Sequence, residues 1–423
     1  MDAAVGDYMP MESHIDVDSN SFRTLAGDFD EWTYLFHNAD VAQAVRNGKI
    51  ASGEEHFTRV GLGDYRSNRR PPPPTTCEMS YLLRNLDVKN AVERGTLKSG
   101  YEHWLEFGRQ EEIDGLRKPY ISGASQDISG IDVSTWRDGY VIIPSLFDTA
   151  TCDRIVETTQ RLWRDRAAVE QPIDVDIFLN HPEARKVRLS EAPDAALDHP
   201  FKINNLYYWN PLVRSAVLDS RLCRVLRYLL DGDPVALTSL NFRKGSEQGL
   251  HLDTFYMPPA IPYRMVAAWM ALEDVGESNG PLSYVPGSNR IPPFFFDDHR
   301  LRIDNSHREY EAFGTYILKK IADRGLPKTS FTPKKGDVLI WHSLLYHGGS
   351  PILDAMATRH SLVAHYFASA DYPGGSCTGA HSLIEHDFGS YYEDRPPQFK
   401  RVIGPAQASF NGQVRGPANV GLR

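Results

Sequence analysis

From residue 133 to about residue 372 the apolar positions fall into short runs broken by Gly, Pro and Asp. YVII at 140–143, MVAAWMALEDV at 265–275, GPLSYVPGS at 280–288, GDVLIWHSLLYHGGS at 336–350 and TRHSLVAHYFAS at 358–369 are the clearest. Such runs, bounded by turn residues, predict many short strands and hence a sandwich or jelly roll. The stretch 148–170 instead has helical spacing, with Ile155, Leu162 and Trp163 on one side. Residues 291–330 read as a polar, partly helical insertion between strands. The Gly-, Pro- and Arg-rich tail beyond 375 reads as a surface wrap.

The pattern before residue 133 is different. Asn38 aligns with Asn85, Asp40 with Asp87, Gly48 with Gly95, Gly53 with Gly100 and His56 with His103, each at an offset of 47. In both copies Asn-x-Asp opens a helical pattern, a glycine closes it, and Ser-Gly opens a second helix. Two copies are too few for a solenoid. They predict a small α-helical repeat module over 31–118, with His56 and His103 as packing residues rather than metal ligands. The proline-rich 69–76 is a stiff polyproline spacer. Residues 1–30 are a polar, acidic tail with few large apolar side chains, expected to be disordered. Residues 119–132 form a linker, 133–375 the main domain and 376–423 a C-terminal extension.

Composition narrows the class without choosing a function. The 423 residues are 41% hydrophobic and 24% charged, ordinary for a globular protein. Lys and Arg number 46 against 55 Asp and Glu, a net charge of -9, which argues against general nucleic-acid binding. No apolar stretch is long enough to span a bilayer, and the acidic N-terminus lacks a signal-peptide pattern. The four cysteines (Cys77, Cys152, Cys223, Cys377) are scattered and form no CxxC pair. Neither a disulfide scaffold nor cysteine-type zinc is expected, and a cytoplasmic location fits.

The chemistry lies in four residues. His251 and Asp253 stand two apart in the apolar stretch QGLHLDTFYM, where an extended backbone puts both on one face. A second His-x-Asp, His14 and Asp16, sits in the tail, where nothing holds it still. A third ligand can come from His342 or His347, and the glycines after His347 favour it. Two imidazoles and a carboxylate hold one face of iron(II) and leave three positions open. Arg359, twelve residues past His347, and Ser361 can share a face and clamp a carboxylate through the guanidinium fork and a hydroxyl.

With these residues in view, 133–372 resembles the phytanoyl-CoA dioxygenase family of iron(II)/2-oxoglutarate oxygenases. The resemblance rests on DGYVIIP, NFRKGSEQGLHLDTFYM, WMALEDVGESNGPLSYVPGS, GDVLIWHSLLYHGGSP and TRHS. It implies a double-stranded β-helix (jelly-roll) core with flanking helices. It also implies His251, Asp253 and His347 as iron ligands, Arg359 as the 2-oxoglutarate anchor and Trp269 as a wall of the co-substrate pocket. Where the family often has a serine two residues past the distal histidine this chain has Gly349, and Ser350 is the nearest hydroxyl for that role. Leu252 replaces a frequent glutamine. The retained carboxylate of Asp253 favours hydroxylation over halogenation. The implied cofactors are Fe(II), 2-oxoglutarate and O2, acting on a small molecule. The competing readings are another metal chemistry on the same barrel, or an interaction protein working through its repeats. The segments 172–210 and 291–330 and the tail are expected to frame the substrate opening. Neither the substrate nor the oligomeric state is legible.

Overall fold

The apolar runs become the strands of two sheets. In the computed structural model these are β1 (Tyr140–Ile143), β2 (Asp174–Ile177), β3 (Arg185–Arg188), β4 (Lys202–Asn204), β5 (Pro234–Phe242), β6 (Met265–Ala271) and β7 (Leu282–Tyr284). They continue with β8 (Thr329–Phe331), β9 (Val338–His342), β10 (His347–Gly349), β11 (Ser361–Ala368), β12 (Leu383–Glu385) and β13 (Ser390–Tyr392). The structure describes residues 29–67, 85–97 and 128–368 with short gaps, a few positions between 103 and 116, and the strands near 383–392. Almost all of the expected tail 1–30, spacer 69–76 and extension 376–423 lies outside the described residues.

The larger sheet runs β1-β9-β6-β11-β5-β4-β2-β3, antiparallel at every pairing along that path. The smaller is β10-β7-β8, also antiparallel. Every residue of β6 and β11 is buried. That explains why their sequences are continuous apolar runs instead of alternating ones. Ala268, Met270, Ala364 and Tyr366 pack with Ile155, Trp163, Leu222 and Leu226 of the flanking helices. Ala267, Trp269 and Val363 pack with Leu282, Tyr284 and Phe331 of the smaller sheet. The domain is therefore a mainly β, antiparallel core with helices on one face, and its second face closes on the smaller sheet.

Helix Thr149–Arg164 occupies most of the expected 148–170, capped by Asp148, whose carboxylate accepts from Thr151 N at 2.7 Å. Two expectations are corrected. The insertion 291–330 is not merely polar. Its helix, His307–Arg324, buries Phe313, Ile317 and Ile321 at helical spacing against Leu252, Phe255, Phe294 and Phe296. The tail is more than a surface wrap: β13 pairs with β5 in parallel, Tyr391 opposite Ala236. No helix among the described residues is long and apolar enough to cross a membrane.

The chain divides into two compact units, Met1–Tyr120 and Ile121–Arg423. In the first, helix Ala39–Arg46 of one copy and helix Leu86–Glu93 of the other have the same bounds at the offset of 47. Both close through a left-handed glycine, Gly48 at φ 70 and Gly95 at φ 74. The asparagines before them do not cap in the expected way; the side-chain amide of Asn38 donates to Tyr34 O instead. Ser52 caps the second helix of the first copy, accepting from Glu55 N at 3.0 Å. The corresponding helix of the second copy lies mostly outside the described residues. His56 Nδ1 meets the Tyr34 hydroxyl at 2.7 Å, and His103 Nε2 lies 3.8 Å from Glu111.

Candidate active site

His251 and His347 face each other across a single antiparallel bridge, His251 N to His347 O at 2.8 Å and the reverse at 3.1 Å. β10 ends the smaller sheet, so the bridge fastens the 246–253 segment to that edge. Gly348 and Gly349 belong to β10 and owe their place to close approach. A Cβ at Gly348 would stand 2.7 Å from Gln248 O, and one at Gly349 2.8 Å from Glu247 N. Past His251 the chain stays extended for one residue and then enters a 3-10 turn, Asp253–Phe255. The expected strand is that short. The extended Leu252 nevertheless sends its own side chain into the apolar cluster behind the site and leaves His251 and Asp253 on the other side.

The ligand-type atoms of His251, Asp253 and His347 lie within 4.8 Å of one another. Asp253 Oδ1 is 3.5 Å from His251 Nε2 and 3.6 Å from His347 Nε2. The remaining polar atoms are already engaged. His251 Nδ1 donates to Gly249 O and His347 Nδ1 to Leu345 O, each at 2.8 Å, which fixes the tautomer that leaves Nε2 open. Asp253 Oδ2 accepts from Trp341 Nε1 at 2.8 Å and lies 3.5 Å from His365 Nε2. Burial pushes the His347 imidazole down to about 4, against the pull of Asp253. Burial alone would raise the Asp253 carboxyl, but His347, His365 and the hydrogen bonds it accepts outweigh it and hold it well below the usual range.

These residues line a cavity of about 180 Å³ that also contains Trp269 and Arg359. Arg359 is 2% exposed, with its guanidinium 5.4 Å from the Trp269 ring centre and 5.7 Å from that of Phe242. Nη1 donates to Gly280 O at 2.9 Å, while Nε has no partner. Burial lowers this guanidinium to about 10, which still leaves it charged at neutral pH. A buried cation with an unsatisfied donor, beside three metal-type ligands, fits an anionic chelate of iron. The donor set itself, two imidazoles and one carboxylate with an open side, suits iron(II).

The family profile described as Phytanoyl-CoA dioxygenase (PhyH) matches residues 136–360. The chain belongs to the phytanoyl-CoA dioxygenase family. It is thus a 2-oxoglutarate-dependent dioxygenase, and iron, 2-oxoglutarate and oxygen are the cofactors of that family. Ectoine dioxygenase of Bordetella parapertussis is 25% identical over 226 residues, 51% of this chain and 67% of the relative. Peroxisomal phytanoyl-CoA dioxygenase of Rattus norvegicus is 28% identical over 127 residues, 30% of this chain and 35% of the relative. The solved structure of EctD from S. alaskensis with 2-oxoglutarate and 5-hydroxyectoine aligns with a TM-score of 0.44 at 20% identity, covering 67% of this chain and 87% of that one.

Other residues singled out from the sequence of this family member fall in varied places. His342 is turned away: its ring lies against Trp136, its Nδ1 accepts from Leu344 N, and it does not line the cavity. Ser350 is also off the cavity wall, its hydroxyl 2.5 Å from that of Ser283. Ser361 is fully buried at the start of β11, and its hydroxyl has no partner. Of the segments expected to frame the opening, 172–210 supplies wall residues from β2 and β4, whereas none of the described residues of 291–330 does. Tyr256 lines the cavity, Tyr207 is core and Trp209 is exposed. Sequence reasoning missed Trp341 and His365. Both lie in the quoted strand motifs, but only the register of β9 and β11 shows them reaching Asp253.

Proposed function

We propose that this chain hydroxylates a C–H bond of a small-molecule substrate, with His251, Asp253 and His347 as the iron ligands and Arg359 as the anchor of the far carboxylate of 2-oxoglutarate. The oxygenase domain on this reading is 133–375, and the repeats of 31–118 form a separate module. The observation that carries the proposal is the meeting, in one cavity, of a three-ligand cluster with a buried, incompletely paired arginine. Iron bound there supplies oxygen activation coupled to oxidative decarboxylation of 2-oxoglutarate.

The protein's part is orientation. The carbonyls of Gly249 and Leu345 aim the two imidazoles, and such outer hydrogen bonds tune a metal site strongly. Trp341 occupies Asp253 Oδ2 and so reserves Oδ1 for the metal. Trp269 and Phe242 flank the Arg359 guanidinium, and Gly280 O fixes its rotation, so a carboxylate meets a preset donor fork. Leu179, Leu240 and Val363 add apolar wall that limits water.

The test is the fate of oxygen. Substrate-stimulated succinate release should accompany a product heavier by one oxygen atom, labelled when the gas is isotopically heavy. A product that has lost two hydrogens without gaining oxygen would replace hydroxylation with desaturation.

A further inference from the structure

Aromatic rings run in a row through the metal end of the cavity. In order they are Tyr256, His251, His347 and Trp341, with neighbouring centroids 5.6, 4.5 and 4.7 Å apart. All of them line the cavity. The outer members differ in what their polar hydrogen does. Trp341 Nε1 donates to Asp253. The Tyr256 hydroxyl accepts from the Tyr310 hydroxyl at 3.1 Å, and its own hydrogen meets no acceptor among the described residues. Their surroundings differ too. Trp341 packs in the cluster that holds Trp269 and Phe242, the rings beside Arg359. Tyr256 packs instead against the cluster of Leu252, Phe255 and Phe313, at the end of the row away from the arginine anchor. Trp341 and Arg359 are buried and Tyr256 is partly exposed, so the Tyr256 end stays reachable once a co-substrate sits on Arg359. The phenol is fixed relative to the metal ligands. Tyr256 N donates to Asp253 O at 2.9 Å, closing the 3-10 turn that carries the carboxylate. Tyr310 belongs to helix His307–Arg324, which supplies no wall residue among those described and reaches the wall through this phenol.

We propose that Tyr256 is a specificity-determining residue whose hydroxyl donates to an oxygen acceptor of the substrate, a carbonyl or hydroxyl oxygen, while Tyr310 holds it in line. The proposal rests on the oxygenase reading of the same cavity. A phenol keeps its hydrogen at neutral pH and offers one donor. Because Tyr256 is tied to Asp253 through the turn, an acceptor bound there fixes which carbon of the substrate faces the metal ligands. A pure hydrocarbon would leave that donor unmatched.

The test uses pairs of probes of the same shape that differ only in the acceptor: cyclohexanone against methylenecyclohexane, and acetophenone against α-methylstyrene. Each is titrated into anaerobic full-length protein loaded with iron(II) and 2-oxoglutarate, and perturbation of the visible charge-transfer band gives its affinity. For at least one pair, the ratio of ketone to alkene affinity should fall about fivefold in Tyr256→Phe, the worth of one neutral hydrogen bond. Alkene affinity should stay as in the wild type. Tyr310→Phe loses the same tyrosine–tyrosine hydrogen bond but keeps the Tyr256 hydroxyl. It should therefore melt close to Tyr256→Phe yet hold the wild-type ratio to within about twofold. A ratio unchanged by Tyr256→Phe, an equal fall in both variants, or silence from both ketones would overturn the proposal and leave Tyr256 as a structural tie to the helix. A wild-type protein with no charge-transfer band before any probe is added would instead sink the oxygenase reading beneath it.

Discussion

At the His251–Asp253–His347 end of the cavity, the atoms that do not face one another are held by Gly249 O, Leu345 O and Trp341 Nε1. At the Asp176 end, the buried carboxylate accepts from Asn204 Nδ2 at 3.2 Å and faces Lys202 and Lys186 at longer range, 3.5 Å from Oδ2 and Oδ1. The first end is held by short, directional hydrogen bonds, and the second mainly by longer pairings of opposite charge. The difference follows from where the side chains are anchored: the metal end is fastened to β10 and β9, and the Asp176 end is spread over β2, β3 and β4.

The sharpest way to break this contrast is to remove the carboxylate. Asp253→Ala should abolish iron binding and turnover together, measured by metal content and succinate release, while the fold persists. Trp341→Phe keeps the ligand but frees its second oxygen. Iron affinity should fall about 10–100-fold, and an unchanged affinity would remove the outer hydrogen bond from the account.

How much of this was legible in the sequence depends on range. His-x-Asp, the distal His347 and Arg359 were visible because strand periodicity and turn residues are local signals. The grip on Asp253 Oδ2 was not, since Trp341 and His365 reach it only through the pairing of β9 and β11 with β6. The helix His307–Arg324 looked polar because Phe313, Ile317 and Ile321 are diluted among charged residues, and its buried face emerges only against Phe294 and Phe296. The wall from β2 and β4 was anticipated as a segment, but not as a polar row.

Two smaller effects sharpen the comparison. Gly348→Ala forces a Cβ toward Gln248 O and the Leu250 N–H, at 2.7 and 2.9 Å. It should cost about 1–3 kcal/mol of stability, read by denaturant unfolding, and should loosen iron binding because His347 is next to it. His342 is a control outside the ligand cluster. Burial lowers its imidazole from 6.5 to about 4, so the unfolded chain binds the proton more readily. Its contribution to stability should be complete above about 6.5 and should decline as the pH falls toward about 4. His342→Gln should flatten that decline in a pH series of melts, and an unchanged slope would show that the ring is solvated.

The central claim is that one cavity holds iron on His251, Asp253 and His347 and 2-oxoglutarate on Arg359. Anaerobic titration with iron(II) and 2-oxoglutarate tests both at once through the visible metal-to-ligand charge-transfer band. The account predicts a band in the wild type, its loss in His347→Ala, and a far higher 2-oxoglutarate requirement in Arg359→Ala. Folded, metal-loaded wild-type protein without a band, or an Arg359→Ala titration that overlays the wild type, would contradict it.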